Sequence, residues 1–193
     1  LRDQITKHLD SEQLSYKDID VFATPRRLIL IVRDLPNQQP DFHIEKKGPR
    51  ADASDSAIQG FLKSTGLSLE DCEKRETSKG PVLFAVQVKA GQKTSKVISD
   101  FMPKLLRGLS WQKSMRWGSG EFRWVRPLRR ILCILGKDEV SFSFEGLVSG
   151  RVTSGHQFMS PEEFTVDDLE DYLKKIFKAN VLISSNERKS KIL

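Results

Sequence analysis

Residues 131–144 read ILCILGKDEVSFSF, and this stretch gives the clearest indication of the fold. Ile131 to Leu135 and Val140 to Phe144 are short apolar runs, and serines alternate with the apolar residues of the second run. The glycine, lysine and aspartate between the two runs are typical of a tight turn. The pattern predicts two antiparallel strands joined as a hairpin.

The clearest helix follows at Asp167 to Lys178, where apolar residues recur at helical spacing. Acids fill its first turns and lysines its end, in agreement with the helix dipole. Weaker patterns predict helices over Arg2 to Leu14, from Ser54 or Asp55 to Gly66, from Thr94 onward and from Ser184 onward, and strands over Phe22 to Val32 and Val82 to Val88. Pro40 to Arg50 is polar and predicted to be an exposed loop.

Helices and strands therefore interleave irregularly along the chain. This order favours an α+β fold, with a mainly antiparallel sheet and packed amphipathic helices, over a doubly wound parallel sheet. The 193 residues fit one α+β domain or two small subdomains, with a possible break near residues 90–112. The first residue is Leu1 and the last helix has only just begun, so we expect a fragment of a longer protein.

The formal charge of +6 is concentrated in one part of the chain, which we call the basic segment. Between Phe101 and Ile131 it holds eight cations and one anion, so the rest of the chain carries a net charge of −1. Such a segment is typical of a surface that binds a polyanion. The alternative is a solvated face whose cations pair with acids elsewhere.

A search for catalytic and metal-binding motifs finds none. The three histidines lie far apart, and Cys72 and Cys133 have no neighbour at metal-ligand spacing. Gly118-Ser119-Gly120 lacks the third glycine of a dinucleotide fingerprint, because Arg123 stands in its place. No apolar run is long enough to cross a membrane. We predict no catalytic residue, no metal site and no membrane partner.

Two tryptophans accompany the cations of the basic segment. Trp117 and Trp124 lie among Arg116, Arg123 and Arg126, a mixture that suits a nucleic-acid surface, since guanidinium groups bind phosphate and rings stack on bases. The competing interpretation is structural: the indoles would anchor a long loop in the core while the arginines reach outward.

Six short motifs occur in order along the chain: Thr24-Pro25-Arg26-Arg27-Leu28, Lys47-Gly48-Pro49, Gly60-Phe61, Met115-Arg116-Trp117-Gly118, Val125-Arg126-Pro127 and Gly155-His156-x-Phe158. In these motifs and their spacing the chain resembles the β subunit of the bacterial heterotetrameric glycyl-tRNA synthetase, of which it looks like an N-terminal fragment. One departure is Gln157, which stands where the family usually has arginine and cannot bind phosphate by charge.

The resemblance implies a part of a glycine–tRNA ligase, an aminoacyl-tRNA synthetase of two α and two β subunits in the cytoplasm. It implies tRNA(Gly) and the α subunit as partners, and no DNA or membrane. ATP and magnesium belong to the α subunit of the holoenzyme, so no cofactor is expected in this fragment. The fragment itself would contribute tRNA binding and subunit assembly, and not the catalytic site.

On this basis the predicted tRNA-binding residues are Arg26, Arg27, Lys47, Arg116, Trp117 and Arg126. An alternative makes the same segment a docking surface for the α subunit, with Trp117 and Trp124 as interface residues. A third alternative is an editing-like hydrolase domain. Glycine argues against editing, because a tight pocket excludes every larger amino acid by sterics alone.

Overall fold

The computed structural model describes residues 1–77, 80–117 and 120–193. These residues form five helices and twelve strands. Among their strand pairs, β6 with β10 is parallel and the others are antiparallel. The helices are α1 Arg2–Ser11, α2 Asp55–Thr65, α3 Thr94–Arg107, α4 Leu169–Lys178 and α5 Ser185–Ile192. The strands are β1 Asp18–Thr24, β2 Arg27–Arg33, β3 Phe42–Arg50, β4 Cys72–Thr77, β5 Gly80–Lys89, β6 Ile131–Leu132, β7 Ile134–Leu135, β8 Asp138–Glu139, β9 Ser143–Phe144, β10 Leu147–Gly150, β11 Val152–Ser154 and β12 Glu163–Thr165. The predicted α+β fold class is confirmed.

The chain divides into two compact units. The first unit comprises Leu1–Gln39 and Gln92–Leu193, and the second unit is the intervening Pro40–Gly91. Within the first unit, the Gln39 N–H donates to the Gln92 carbonyl at 2.9 Å, and the Gln92 N–H donates to the Gln39 side chain at 3.1 Å. The first unit thus closes its own backbone where the second unit is inserted. The choice between one domain and two subdomains, with a break near residues 90–112, stays a prediction.

The β1–β2 hairpin is the centre of the first unit and is apolar on both faces. Successive strand side chains point to opposite faces, so Ile19 packs with α1 and α3, whereas Ile29 and Ile31 pack with α4. Burial on both faces explains why β2 is a nearly continuous apolar run instead of an alternating one.

His8 lies at the α1–α3 contact. Its ring stacks on Phe101 with 3.4 Å between the centroids, and its Nε2 is buried without a hydrogen-bond partner among the described residues. Burial lowers the pKa of His8; Glu12 opposes this shift and Lys104 adds to it. The imidazole is therefore favoured in its neutral form in the folded protein.

The second unit is a three-stranded antiparallel sheet, in the order β3–β5–β4, with α2 on one face. Phe61 of α2 is buried with Leu83 and Ala85 of β5. A Cβ on Gly48 would lie 2.6 Å from the Phe61 ring, so only glycine lets the ring sit this close to β3. The helix ends at Gly66, whose φ of +70° is the left-handed conformation that glycine adopts readily.

Three predictions need correction. The segment from Phe22 to Val32 is not one strand, because β1 ends at Thr24 and turns back to pair with β2, which begins at Arg27. The predicted loop over Pro40 to Arg50 is wrong, because residues 42–50 form β3 and pair with β5. Pro49, which has no N–H to donate, falls at a register shift of that strand. The predicted 131–144 hairpin is confirmed only at its turn, where β7 pairs with β8 through residues 134–135 and 138–139. The Val140 N–H also donates to the Cys133 carbonyl at 3.0 Å, but the outer parts of the arms separate, and both β6 and β9 pair with β10.

Candidate nucleic-acid interface

The basic segment is mostly an irregular stretch between α3 and β6. One isolated bridge organises it: Met115 and Trp124 exchange backbone hydrogen bonds of 2.8 and 3.1 Å. The bridge closes a loop that contains Arg116 and Trp117, and Gly118 and Ser119 lie outside the described residues. At the base of the loop, Arg123 donates to the Ser114 hydroxyl at 3.2 Å and to the Ser114 carbonyl at 3.3 Å.

A row of aromatic rings fixes this loop to the rest of the first unit. Trp111 contacts Trp124 with 4.9 Å between centroids, Trp124 contacts Phe122 at 5.6 Å, and Phe122 contacts Phe144 of β9 at 5.0 Å. Trp124 is only 5% exposed, so its ring serves the packing of this chain and leaves little surface for a partner. Trp117 ends the row, 6.1 Å from Phe122, and is half-buried.

The cations of the basic segment fall into two groups. Arg107 pairs with Glu145 at 2.5 Å, and Arg130 pairs with Glu163. Arg123 is held by Ser114. In contrast, five exposed cations have no hydrogen bond or ion pair within the described part of the chain. These are Lys104, Lys113, Arg116, Arg126 and Arg129. The alternative of cations paired with acids therefore holds for only some of the segment.

Arg27 makes hydrogen bonds within its own chain. Its guanidinium donates to the Gly155 carbonyl at 2.8 Å, to the Thr153 hydroxyl at 3.3 Å and to the Ser154 carbonyl. Burial lowers the pKa of Arg27, with nearby Tyr172 raising it and Arg130 lowering it; an arginine nevertheless stays charged in proteins. Arg26, beside it in the β1–β2 turn, is exposed.

Lys47 belongs to the second unit and lies in a mixed charge environment. It pairs across the sheet with Phe84, whose ring lies 5.0 Å from the Arg75 guanidinium. On the same face Arg75 binds Glu45 at 2.8 Å and Glu73 at 2.7 Å. The structure thus gathers Arg116, Trp117, Trp124 and Arg126 in one loop region, but puts Arg26 and Arg27 on a hairpin and Lys47 in the other unit.

The site-residue predictions left out two kinds of residue that the structure makes prominent. Lys113 and Arg129 are as exposed and unpaired as the predicted Arg116, within the described residues, and only their place in the basic segment indicates them in sequence. Phe158 and Met159 are 79% and 68% exposed on the loop that carries the Gly155-His156-x-Phe158 motif. The motif was the signal that could have found this loop.

The described residues show neither a metal site nor a membrane-spanning helix. No group of three or more histidine, cysteine, aspartate or glutamate side chains is placed to hold a metal ion there. None of the helices found in the described ranges is long and apolar enough to cross a membrane.

Comparison with known proteins identifies the family. The family model described as "Glycyl-tRNA synthetase beta subunit" matches residues 1–193. The chain belongs to the glycyl-tRNA synthetase β-subunit family. This confirms the resemblance seen in the six motifs.

Individual relatives agree with the family match. The chain is 42% identical over 196 residues to the glycine–tRNA ligase beta subunit of Paracoccus denitrificans, covering 100% of this chain and 29% of that protein. It is 43% identical over 192 residues to the same subunit of Dinoroseobacter shibae, covering 97% and 27%. It is 34% identical over 199 residues to that of Clostridioides difficile, covering 100% and 29%. The chain thus spans a little over a quarter of the length of these curated relatives.

In this member of the glycyl-tRNA synthetase β-subunit family, several motif residues have packing roles. Gly48 and Phe61 come from two different motifs and meet in the second unit. Arg27 and Gly155 come from two others and meet in the first unit through a hydrogen bond. Arg116 and Arg126 make no such contact among the described residues, so packing within the chain does not explain them.

Proposed function

We propose that this chain is a tRNA-binding part of a glycyl-tRNA synthetase, and that the loop closed by the Met115–Trp124 bridge is its RNA contact. The observation that carries the proposal is the set of exposed, unpaired cations around that loop, among the described residues. Charged side chains without a partner in their own chain are available to neutralise phosphates and release counterions.

The geometry suggests a division of labour in the loop. The Arg116 and Arg126 guanidinium groups can each bind a phosphate with two parallel hydrogen bonds. The half-buried Trp117 keeps part of its ring open for an unstacked base, while Trp124 and Phe122 hold the loop in place. Binding of this kind would orient the tRNA acceptor end toward an active site elsewhere in the enzyme.

The chemical step is assigned to the assembled enzyme. We propose that the chain works in an α2β2 assembly in the cytoplasm, and that ATP, magnesium and glycine bind the α subunit. Within this chain no residue is assigned to these ligands. Its contribution to glycine ligation is the placement of the tRNA.

The salt dependence of tRNA binding tests the RNA contact. In the full-length subunit, Arg116→Ala and Arg126→Ala should each weaken tRNA binding and flatten the plot of log affinity against log salt by about one unit, because each removes about one phosphate contact. Lys178→Ala, which removes an exposed cation at the end of α4, is the matched control and should leave the slope unchanged. Equal slopes for all four proteins, with folding intact, would refute the assignment.

The docking alternative for the same segment rests on the open part of Trp117. Trp124, the other predicted interface residue, is buried in its own chain. Trp117→Ala separates the two functions in one preparation. Loss of tRNA affinity with subunit association retained supports RNA stacking, and the reverse result supports docking.

A further inference from the structure

Phe158 and Met159 form an exposed apolar knob on the first unit. They are neighbours in sequence, and 79% and 68% of their surfaces are open to solvent. The only ring near Phe158 in the described structure is that of His156, with 6.2 Å between the centroids. We propose that the loop of residues 155–160, the docking loop, inserts these two side chains into an apolar pocket of a protein, and that this protein is the second subunit of the synthetase.

The docking loop is held from below by backbone contacts. The His156 N–H donates to the Ala179 carbonyl at the end of α4, at 2.8 Å. A Cβ on Gly155 would lie 2.5 Å from the Ala179 Cβ and 2.7 Å from the Ala179 and Ser160 carbonyl oxygens, so the loop fits against α4 only with glycine at this position. Arg27 binds the carbonyls of Ser154 and Gly155 from the β1–β2 side.

The turn itself is organised by His156. Its Nδ1 accepts hydrogen bonds from the Phe158 N–H at 3.3 Å and from the Met159 N–H at 3.2 Å, and its carbonyl accepts from the Ser160 N–H at 2.9 Å. The Asn180 side chain donates to the Ser160 hydroxyl at 2.8 Å. The backbone that carries the two apolar side chains is therefore ordered before any partner binds, which lowers the entropy cost of binding.

Two residues of the Gly155-His156-x-Phe158 motif have a role among the described residues, and the third does not. Gly155 provides the space and His156 provides the hydrogen bonds, but the Phe158 ring covers nothing in the described structure. Aromatic side chains of this kind, on a rigid loop, are typical anchors of protein interfaces. The packing of the described residues thus gives Phe158 no role.

The charge around the docking loop favours a protein over an RNA. Residues 152–173 contain six carboxylates and no lysine or arginine. Most cations near this region are occupied: Arg27 binds backbone carbonyls, Arg130 binds Glu163, and Lys174 and Lys175 pair with Glu170 and Asp171. Lys178 of α4 is exposed, and residues 152–178 together carry a net charge of −3. A phosphate backbone would be repelled here, whereas a protein pocket with basic side chains at its rim would be complementary to Glu162 and its neighbours.

The choice of the second subunit as the partner rests on the proposed function, in which this chain assembles with an α subunit. The test uses the full-length subunit and its purified α subunit, with the association constant and the tRNA affinity measured on the same samples. Phe158→Ala should weaken association by about 30-fold, the loss expected for one interface anchor, and Met159→Ala should also weaken it. Both side chains are exposed, so the melting temperature should not change.

Phe177→Ala is the matched control, because Phe177 is another exposed phenylalanine of the first unit, at 57%. It should leave association unchanged. Association that is equally strong in the Phe158→Ala variant and the parent would overturn the proposal, as would weakened tRNA affinity with unchanged association. Failure of the proposed tRNA contact is read separately, from the salt slopes of the Arg116 and Arg126 variants.

Discussion

Replacing Gly155 with alanine tests how tightly the docking loop fits against α4. The new Cβ would lie 2.5 Å from the Ala179 Cβ, about 1 Å inside an ordinary carbon–carbon contact of about 3.5–4 Å. It would also lie 2.7 Å from two carbonyl oxygens, which belong to the backbone and cannot rotate away. The loop must therefore move off α4.

The cost of that movement can be worked from its parts. Overpacking of this kind costs about 1–3 kcal/mol, and loss of the hydrogen bond from His156 to the Ala179 carbonyl costs about 0.5–1.5 kcal/mol. The free energy of local opening should thus fall by about 1.5–4.5 kcal/mol. Since about 1.4 kcal/mol is tenfold in an equilibrium constant, exchange of the His156 and Ser160 amide protons should accelerate roughly 10- to 1500-fold.

Native-state hydrogen exchange on the full-length subunit measures this directly. Unchanged protection of both amides in Gly155→Ala would refute the steric argument. Adding Ala179→Gly removes the nearest clashing atom but leaves both carbonyls, so it should restore only part of the protection. Complete restoration would contradict the share of the cost assigned to the carbonyls.

Three other predictions concern the body of the fold. Gly60→Ala lies inside α2 with no atom within 4 Å of the new Cβ and should stabilise the second unit by about 0.5–1 kcal/mol. Gly48→Ala meets the Phe61 ring at 2.6 Å and should destabilise the unit by about 1–3 kcal/mol. Hydrogen-exchange rates that shift in the same direction in both variants would contradict this. Because burial lowers the pKa of His8, the unfolded chain takes up a proton more readily than the folded chain, so the free energy of unfolding should fall as the pH drops through the ordinary histidine value of 6.5. The melting temperature of the His8→Gln variant should depend less on pH over this range. Parallel plots of melting temperature against pH for the variant and the parent would refute the linkage. Burial raises the pKa of Cys133 to about 11 and also raises that of Cys72, so little of the reactive thiolate is present at pH 8. Thiol labelling at pH 8 should therefore be slow in the native protein and complete after unfolding. Rapid labelling of the native protein would contradict the buried environments.

Elements with a strong local pattern were predictable from sequence. The α4 pattern combines a regular apolar stripe with capping, and the structure adds that the Asp168 side chain accepts from the Asp171 N–H at the helix start. The end of α2 at Gly66 was equally clear, because the left-handed backbone there requires glycine. In both cases the residues that determine the element lie inside it.

β3 was missed because its determinants lie elsewhere in the chain. Glu45, Lys46 and Lys47 are polar, and Pro49 normally disfavours a strand. The strand forms because β5, about forty residues further on, pairs with it and because α2 covers one face of the sheet. A pattern search along the sequence contains no such long-range pairing.

The candidate site likewise has some features set by local sequence and others set by long-range contacts. The density of cations in the basic segment is visible in sequence, but whether each one is available is not. Arg107 and Arg130 are paired with acids 38 and 33 residues away, and Arg27 reaches carbonyls 127 and 128 residues away. Only the folded chain separates these occupied cations from Arg116 and Arg126.

The hydrogen bonds between Gln39 and Gln92 have a consequence for engineering of the chain. Together with the Thr94 N–H, which donates to the Asn37 carbonyl at 2.9 Å, they leave the first unit with the geometry of a hairpin whose tip has been opened. We therefore expect residues 40–91 to be replaceable without disruption of the first unit. A variant with an Asn-Gly turn in place of those residues should keep the tryptophan fluorescence of the first unit, since all three tryptophans lie there. Loss of that fluorescence would show that the first unit depends on the second unit for its folding.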